Sequence, residues 1–390
     1  MSRRIVCATN MPYVEEAFNT LGDATVLEGR SICAADVRDA EILALRSTTK
    51  VNADVLDGSS VRFVGTATIG TDHLDIPYLE NNGIEWCYSP GCNANSVSEY
   101  LVAALLSLAV RNGFSLRGKT LGIIGVGNVG RRVVEKGHAL GMRVLQNDPP
   151  RERAGDYDSN AACPFVALPE LLAESDIVTL HVPLNKNGVD RTLRLVDEVF
   201  IAQMRDGAIL VNAARGGIVD SDALLKALKR GKIAHAILDT WEGEPEYRLD
   251  VMDAVALATP HIAGHSFEGR VAGTVMVYQA ACRFLGVAAD WSPDALLPAP
   301  EVPYIECTVG DMDETALLHS IVKRIYEIDA DDRCFRSTAV KDREKRAKAF
   351  DLLRREYPIR REFRFTKVKT DNSVAQLSAT LKALGFGILD

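Results

Sequence analysis

The run Gly125-Val126-Gly127-Asn128-Val129-Gly130 restricts the fold of this chain more than any other feature. An apolar segment, Leu121 to Ile124, leads into it, and a helical pattern carrying Val129, Val133 and Leu140 leads out. In that setting the first glycine permits a tight turn, the second lets a pyrophosphate approach the backbone, and the third lets helix and strand pack closely. Free amides at the start of the helix then face an anion.

Asp148 closes the next apolar segment, Met142 to Asn147. A carboxylate there accepts hydrogen bonds from an adenosine ribose and repels a 2′-phosphate, which favours NAD over NADP. Two other readings stay open. Asp148 can be a turn residue before Pro149-Pro150, and Arg151 can receive a 2′-phosphate.

Short apolar runs alternate with helical patterns on both sides of this unit, the signature of parallel strands with covering helices. Upstream, Ile5 to Ala8, Ile42 to Leu45, Val61 to Gly65 and Ile84 to Tyr88 are predicted strands, with helices at Val14 to Leu21, Asn52 to Asp57 and Ile76 to Asn82. Ser89-Pro90-Gly91 breaks the pattern and is predicted to be a hinge. Ser96 and Glu99 have the spacing of a capping box for a helix that runs on to Val110. Downstream, Thr120 to Ile124, Met142 to Asn147, Ile177 to His181, Ala208 to Asn212, Ala234 to Asp239 and Val255 to Ala258 are strands. Helices at Val129 to Leu140, Leu168 to Glu174, Val196 to Met204 and Ser221 to Arg230 lie between them, so a doubly wound sheet is expected. A helix from Phe267 to Val287 and a proline-rich linker, Trp291 to Pro303, follow. The tail reads as a small α/β appendage with helices at Glu314 to Ile328, Arg343 to Arg355 and Ser373 to Leu384, a strand at Phe363 to Val368 and a final strand.

Composition narrows the function classes. Lys plus Arg is 45 against 53 for Asp plus Glu, a net charge of -8 that argues against coating nucleic acid or a membrane surface. Val97 to Val110 is too short and too polar to span a bilayer, and no secretory signal follows the first arginines. Cys7, Cys33, Cys87, Cys92, Cys163, Cys282, Cys307 and Cys334 form no CxxC pair, which predicts reduced thiols and a cytoplasmic location. No histidine has metal-ligand spacing, so no metal is expected.

Ligands gather at the carboxyl ends of strands in such sheets. Arg215 follows the predicted strand Ala208 to Asn212, Glu244 lies beyond Asp239, and His261 follows Thr259-Pro260. Each alone has a dull explanation. Together they offer an imidazole to take a hydroxyl proton, a carboxylate to orient it, and a guanidinium fork to grip a substrate carboxylate. His261 is therefore assigned as acid/base, Glu244 as its partner and Arg215 as anchor and electrophile. The three are expected to converge over the nicotinamide ring.

With Gly125 to Gly130, Asn212 to Gly216, Glu244-Pro245 and Pro260 to Gly264, the chain resembles the D-isomer-specific 2-hydroxyacid dehydrogenases over roughly residues 1 to 290. The resemblance implies an NAD-binding Rossmann domain (96–262) inserted in a smaller flavodoxin-like substrate domain (1–95, with a return helix at 263–290), the active site lying in the cleft between them. Further segments are similar to the branch of that family that acts on a phosphorylated sugar acid. They are Asn10-Met11-Pro12, Arg46-Ser47 with Thr49 to Asn52, Gly65 to Thr68, Gly70 to His73, Pro90 to Ala94, Asn147 to Arg151, Trp241 to Pro245 and Leu297 to Glu301. This closer resemblance implies oxidation of 4-phospho-D-erythronate to 2-oxo-3-hydroxy-4-phosphobutanoate and a homodimer formed through a C-terminal domain (291–390). It implies substrate contacts at Ser47 and Thr68, and NAD contacts at Gly125, Gly127, Asn128, Val129, Gly130, Asp148, Val182, Asp239 and Gly264. Relatives commonly carry tyrosine where this chain has His265, which is expected to contact substrate, and some carry threonine where it has Val182. Ala263-Gly264 is a second expected hinge.

Several signals are set aside. The basic run from Arg354 to Lys369, mixed with Tyr357, Phe363 and Phe365, is read as a half-buried strand with a solvated face rather than a nucleic-acid surface. Cys92 is read as a loop residue near the nicotinamide. Two alternative functions stay open: another 2-hydroxyacid dehydrogenase, for instance on 3-phosphoglycerate, and an NADH-sensing interaction protein that kept the fold.

Overall fold

The structure, a computed structural model, describes residues 3–156, 165–307, 312–370 and 375–389. Cys163 and the expected helix start at Ser373 lie outside the described residues. The chain forms two compact units, Met1–Asn93 with His265–Ala299 and Ala94–Gly264 with Pro300–Asp390.

The first unit is built on a parallel sheet of β1 (Arg4–Ala8), β2 (Asp23–Leu27), β3 (Ile42–Leu45), β4 (Phe63–Thr66) and β5 (Glu85–Cys87) in the order β2-β1-β3-β4-β5. That is the flavodoxin-like order, with its switch point between β1 and β3. The edge strand β2 is absent from the sequence reading because Asp-Ala-Thr-Val-Leu has no buried face: none of its residues is fully buried. The helix Phe267–Leu285 packs Val277, Tyr278 and Ala281 into the core with Ile5, Phe18, Ile42 and Phe63. The Ser89 hydroxyl donates toward the Thr66 and Gly273 carbonyls, which ties the end of the sheet to this returning helix.

In the second unit, β6 (Thr120–Ile124), β7 (Arg143–Asn147), β8 (Ile177–Leu180), β9 (Ala208–Asn212), β10 (Ile233–Leu238) and β11 (Leu257–Ala258) form a parallel sheet in the order β11-β10-β9-β8-β6-β7. Phe165 adds a single parallel bridge to Gln146 on the far side of β7. Counting that bridge as a residual third strand gives 3-2-1-4-5-6 from this edge, the dinucleotide-binding order, with one further strand. The strands β6, β8 and β9 are buried throughout, as strands covered on both faces must be.

Several sequence expectations are corrected. The helix Ala94–Asn112 begins before Ser96, so Ser96 and Glu99 are buried inside it and form no capping box. Glu99 accepts instead from the Asn95 side chain and the Phe363 amide. The expected helix from Glu314 to Ile328 ends at Lys323, and a second helix that the sequence reading lacked, Ile328–Ser337, follows. Pro149 and Pro150, which the sequence reading assigned to no helix, open the short helix Pro149–Arg153, where a missing amide hydrogen costs nothing.

The last ninety residues add a parallel sheet of β12 (Tyr304–Cys307), β13 (Lys367–Thr370) and β14 (Gly387–Leu389). The expected strand at Phe363 to Val368 is in fact a 3-10 turn, Phe363–Phe365, followed by β13. The aromatic pair misled the period-two reading. Phe363 stacks on Phe386 with ring centroids 4.7 Å apart, while the true alternation of buried and exposed residues runs from Lys367 to Thr370. The basic run is divided: Arg355, Arg364, Lys367 and Lys369 are exposed, the two lysines on the solvated face of β13. Arg360 and Arg361 are buried, with guanidiniums 4.2 Å from the rings of Tyr326 and Phe365 respectively. No helix of the described residues is long and apolar enough to cross a membrane.

Burial, with Glu362 nearby, pushes the Glu99 carboxyl up from 4.5 to about 8, against the pull of Lys136, the Phe363 amide and Asn95. A folded-state value above the unfolded one means that stability is full below pH 4.5 and falls as the pH rises towards 8. Glu99→Gln, uncharged at every pH, removes this loss. Its stability relative to the parent should therefore improve between pH 6 and pH 9, with a slope of at most about 1.4 kcal/mol per pH unit. Urea unfolding at fixed pH values measures it, and a flat difference would contradict the assignment.

Candidate active site

The glycine loop follows β6 directly. Gly125 takes a left-handed conformation, φ +87°, and its amide donates to the Asn147 carbonyl at 2.8 Å. A Cβ at Gly130 would overlap the Gly125 carbonyl oxygen, so the start of the helix Asn128–Ala139 lies against the turn. At Gly127 nothing lies within 4 Å of a built Cβ. The middle glycine thus leaves open space where a pyrophosphate would sit, while the outer two are demanded by the chain itself.

Asp148 is joined to this loop. Its Oδ2 accepts from the Val126 amide at 2.7 Å and its Oδ1 from the Arg151 amide at 3.2 Å. Arg151 donates to the Val126 carbonyl and to Asp156, and its guanidinium lies 5.5 Å from the Phe165 ring. Both residues therefore tie the end of β7 to the glycine loop. Val182 borders the turn, since a Cβ at Gly125 would come within 2.8 Å of its Cγ1.

A second arrangement carries the His261–Glu244 pair. Asp239 follows β10 and is buried; its Oδ1 accepts from Thr259 Oγ1 and the Ile262 amide, each at 2.7 Å, and its Oδ2 from the Ala263 amide at 3.0 Å. The Asp239 carbonyl accepts from the His261 amide at 2.7 Å. Between these contacts His261 adopts φ +57°, a left-handed conformation that costs a non-glycine residue on the order of 1–3 kcal/mol. The hydrogen bonds that Asp239 accepts offset that cost and set the direction of the imidazole.

His261 Nδ1 lies 2.6 Å from Glu244 Oε1, and Glu244 Oε2 accepts from the Trp241 amide at 3.1 Å. Trp241 Nε1 in turn donates to the Thr259 carbonyl at 2.9 Å, so one indole joins the two segments that present the pair. Burial opposes the Glu244 charge, but His261 beside it and bonded to it, Arg354 and the Trp241 amide together hold the carboxyl below its usual range. An ionised Glu244 fixes the Nδ1–H tautomer and leaves Nε2 to exchange a proton. His261 and Glu244 remain 26% and 25% exposed, enough for a small molecule to reach the ring.

Arg215 is presented by a third loop, after β9. The Asn212 side chain braces that loop on both sides, accepting from the Ala214 amide and donating to the Arg215 carbonyl. A Cβ at Gly216 would overlap the Trp241 carbonyl, so the Arg215 loop and the segment leading to Glu244 touch backbone to backbone. The Arg215 guanidinium donates to the Ala214 carbonyl at 2.9 Å.

In the first unit, the loops at the carboxyl ends of β3 and β4 carry the remaining expected contacts. Ser47 is exposed and Arg46 is half-buried; the loop is held by Thr49 Oγ1 donating to the Gly29 carbonyl at 2.6 Å and by Asn10 donating to Thr48. Thr68 Oγ1 lies 2.8 Å from Thr66 Oγ1 and donates to the Gly70 carbonyl, and Thr66 Oγ1 lies 2.9 Å from His73 Nε2. His265 is half-buried. Burial pushes the Cys92 thiol up to about 11, only partly offset by Arg46, so it is protonated at neutral pH. Among the described residues, no group of His, Cys, Asp and Glu could hold a metal ion.

Sequence reasoning located Glu244 and His261, which the structure joins, but treated Asp239 only as a cofactor contact. Its framework role depends on amides and a hydroxyl some 20 residues later, and no spacing rule signals it. Arg354 was likewise read only as part of a charge run.

Residues 103–263 match the family model of the D-isomer specific 2-hydroxyacid dehydrogenase NAD binding domain, and residues 296–385 match a domain of unknown function, DUF3410. The chain belongs to the D-isomer-specific 2-hydroxyacid dehydrogenase family. Within it, the chain is 43% identical to the erythronate-4-phosphate dehydrogenase of Pseudomonas putida strain F1 over 387 residues, 99% of both chains. It is 43% identical over 383 residues, 98% of both chains, to the enzyme of the same name from Yersinia enterocolitica. Among solved structures, D-lactate dehydrogenase from Aquifex aeolicus, complexed with NAD and lactic acid, aligns with a TM-score of 0.59 at 27% identity, covering 72% of this chain and 95% of that one.

The glycine geometry separates folding from binding. Gly130→Ala should destabilise the protein by about 1–3 kcal/mol through overpacking. Gly127→Ala should leave the melting temperature unchanged and weaken NADH binding, measured by nicotinamide fluorescence. Equal effects of the two substitutions on both measurements would refute this division.

Proposed function

We propose that this chain catalyses NAD-dependent oxidation of 4-phospho-D-erythronate to 2-oxo-3-hydroxy-4-phosphobutanoate, the reaction implied by the name of its relatives and a step of pyridoxal 5′-phosphate biosynthesis. The single observation that supports the chemistry best is the 2.6 Å contact between His261 Nδ1 and Glu244 Oε1. Gly125, Gly127, Asn128, Val129, Gly130, Asp148, Val182, Asp239 and Gly264 are the residues proposed to hold NAD, which when bound supplies the ring that accepts hydride.

His261 Nε2 takes the proton of the substrate 2-hydroxyl as the alcohol carbon loses hydride. Glu244 stabilises the resulting imidazolium without itself taking the proton. Arg215 grips the substrate carboxylate through paired hydrogen bonds and stabilises negative charge on the neighbouring oxygen. Ser47, Thr68 and His265 are proposed substrate contacts, and the cations Arg46 and Lys50 beside Ser47 suit a phosphorylated acid. A homodimer held through the C-terminal segment and a cytoplasmic location belong to the same reading.

A panel of 2-hydroxyacids, followed by the appearance of reduced nicotinamide, tests the substrate. Phosphoerythronate should be preferred, and turnover of 3-phosphoglycerate with none of phosphoerythronate would reassign it. His261→Ala should lower kcat by on the order of 10²–10⁴ while preserving NADH binding, as expected for loss of a general base. Arg215→Lys keeps the charge but loses the fork, and should reduce kcat/KM by on the order of 10² or more. If His261→Ala retains full turnover, the acid/base assignment is wrong, and if no hydroxyacid is oxidised the NADH-sensing alternative gains.

A further inference from the structure

The C-terminal segment, which matches the family model of a domain of unknown function, makes a series of contacts with one particular stretch of the second unit. That stretch runs from Trp241 to Ala263 and carries both Glu244 and His261. Arg346 Nε donates to the Tyr247 carbonyl at 3.1 Å, three residues past Glu244. Arg336 donates to the carbonyls of Met252 and Val255 at 2.7 and 3.0 Å, with its Nε held by Asp332. Asp332 Oδ1 also accepts from the Ala258 amide at 2.7 Å. Arg360 donates to the Ala263 carbonyl at 2.6 Å, two residues past His261.

These contacts share a chemistry. Each is a charged side chain of the C-terminal segment bonded to a backbone group of the stretch, so they fix its path whatever side chains it carries. The anchors are themselves rigid. Arg360 is buried beneath Tyr326, its guanidinium 4.2 Å from the ring, and Arg346 is buried with its guanidinium 5.4 Å from the Tyr247 ring. Phe335 and Phe350 close a cluster with Tyr247, which Phe335 extends to Trp241, the residue whose amide donates to Glu244.

We propose that the C-terminal segment is an intramolecular brace that positions the His261–Glu244 pair, with Arg360 and Arg346 as its positioning residues at the two ends of the stretch. Neither arginine touches the reacting atoms. Arg360 acts through the Ala263 carbonyl on the turn that directs His261, and Arg346 acts through the Tyr247 carbonyl on the loop that directs Glu244. The inference rests on the acid/base reading of that pair and assigns the segment work in the catalytic step, in addition to any part in association.

The test compares Arg360→Lys with the parent in the full-length protein. Lysine retains the charge but cannot span from the Tyr326 ring to the Ala263 carbonyl with the same planar fork. The brace predicts that kcat falls by about tenfold to a hundredfold, as expected when a reacting group is misplaced by around 1 Å, while KM and the NADH dissociation constant stay within about twofold. In a Glu244→Gln background the same substitution should cost little more, because the geometry it protects is already lost. Equal losses in both backgrounds, or a fall in NADH binding that matches the fall in kcat, would overturn the proposal. If thermal denaturation shows that Arg360→Lys does not fold, Arg346→Lys is read by the same criteria. Retention of full activity by His261→Ala would defeat the acid/base reading itself, whereas a dead His261→Ala with an unaffected kcat in the arginine variant would defeat only the brace.

Discussion

The buried carboxylate of Asp239 is the constraint on which the geometry of the candidate site depends. One side chain accepts from Thr259, Ile262 and Ala263, while its own carbonyl accepts from His261. A chain leaving a parallel strand has no intrinsic reason to place a histidine in the left-handed region, and the cost is met because that conformation lets the flanking amides reach one acceptor. Burial pushes the Asp239 carboxyl up, and His261, Thr259 and the amides oppose this. Within the second unit, the direction of the His261 imidazole follows from how the end of β10 is tied to the loop after β11.

Around that centre the second unit relies on close backbone contact. Gly216 against Trp241, and Gly130 against Gly125, bring loops together at distances that any side chain would forbid. Such contacts place strand-end residues with little freedom, the state needed for proton transfer over a short distance. Trp241 serves both purposes, because its backbone meets Gly216 and its amide and indole bond to Glu244 and the Thr259 carbonyl. The C-terminal segment adds a layer of arginines outside this framework, of which Arg336, Arg346 and Arg360 donate to backbone carbonyls.

Much of this architecture was legible in the residue order. Glycines at 125, 127 and 130 after an apolar strand have few physical uses, and the buried parallel strands announce themselves as continuous apolar runs. The errors came where local pattern and tertiary demand diverge. Ser96 and Glu99 have cap spacing but are buried mid-helix, because Glu99 serves the Phe363 amide across 264 positions of sequence. Phe363 and Phe365 alternate like a strand but are held in a turn by stacking. The edge strand β2 and the opening of a helix by Pro149 and Pro150 escaped because one has too little apolar signal and the other uses proline where proline does no harm.

Sequence alone determined the nucleotide-binding class of the second sheet, and it singled out Arg215, Glu244 and His261 as candidates, since both steps depend on residue type and on what immediately precedes each residue. Only the tertiary structure decided that Glu244 meets Nδ1 of His261 rather than solvent, that Asp239 is the keystone of the loop, and that Arg360 and Arg361, in a run whose other basic residues are mostly exposed, face inward onto aromatic rings. The physical reason is range. Turn chemistry and strand burial are set by neighbours in the chain, whereas hydrogen bonds to buried carboxylates and carbonyls are made by whichever group the fold brings within reach.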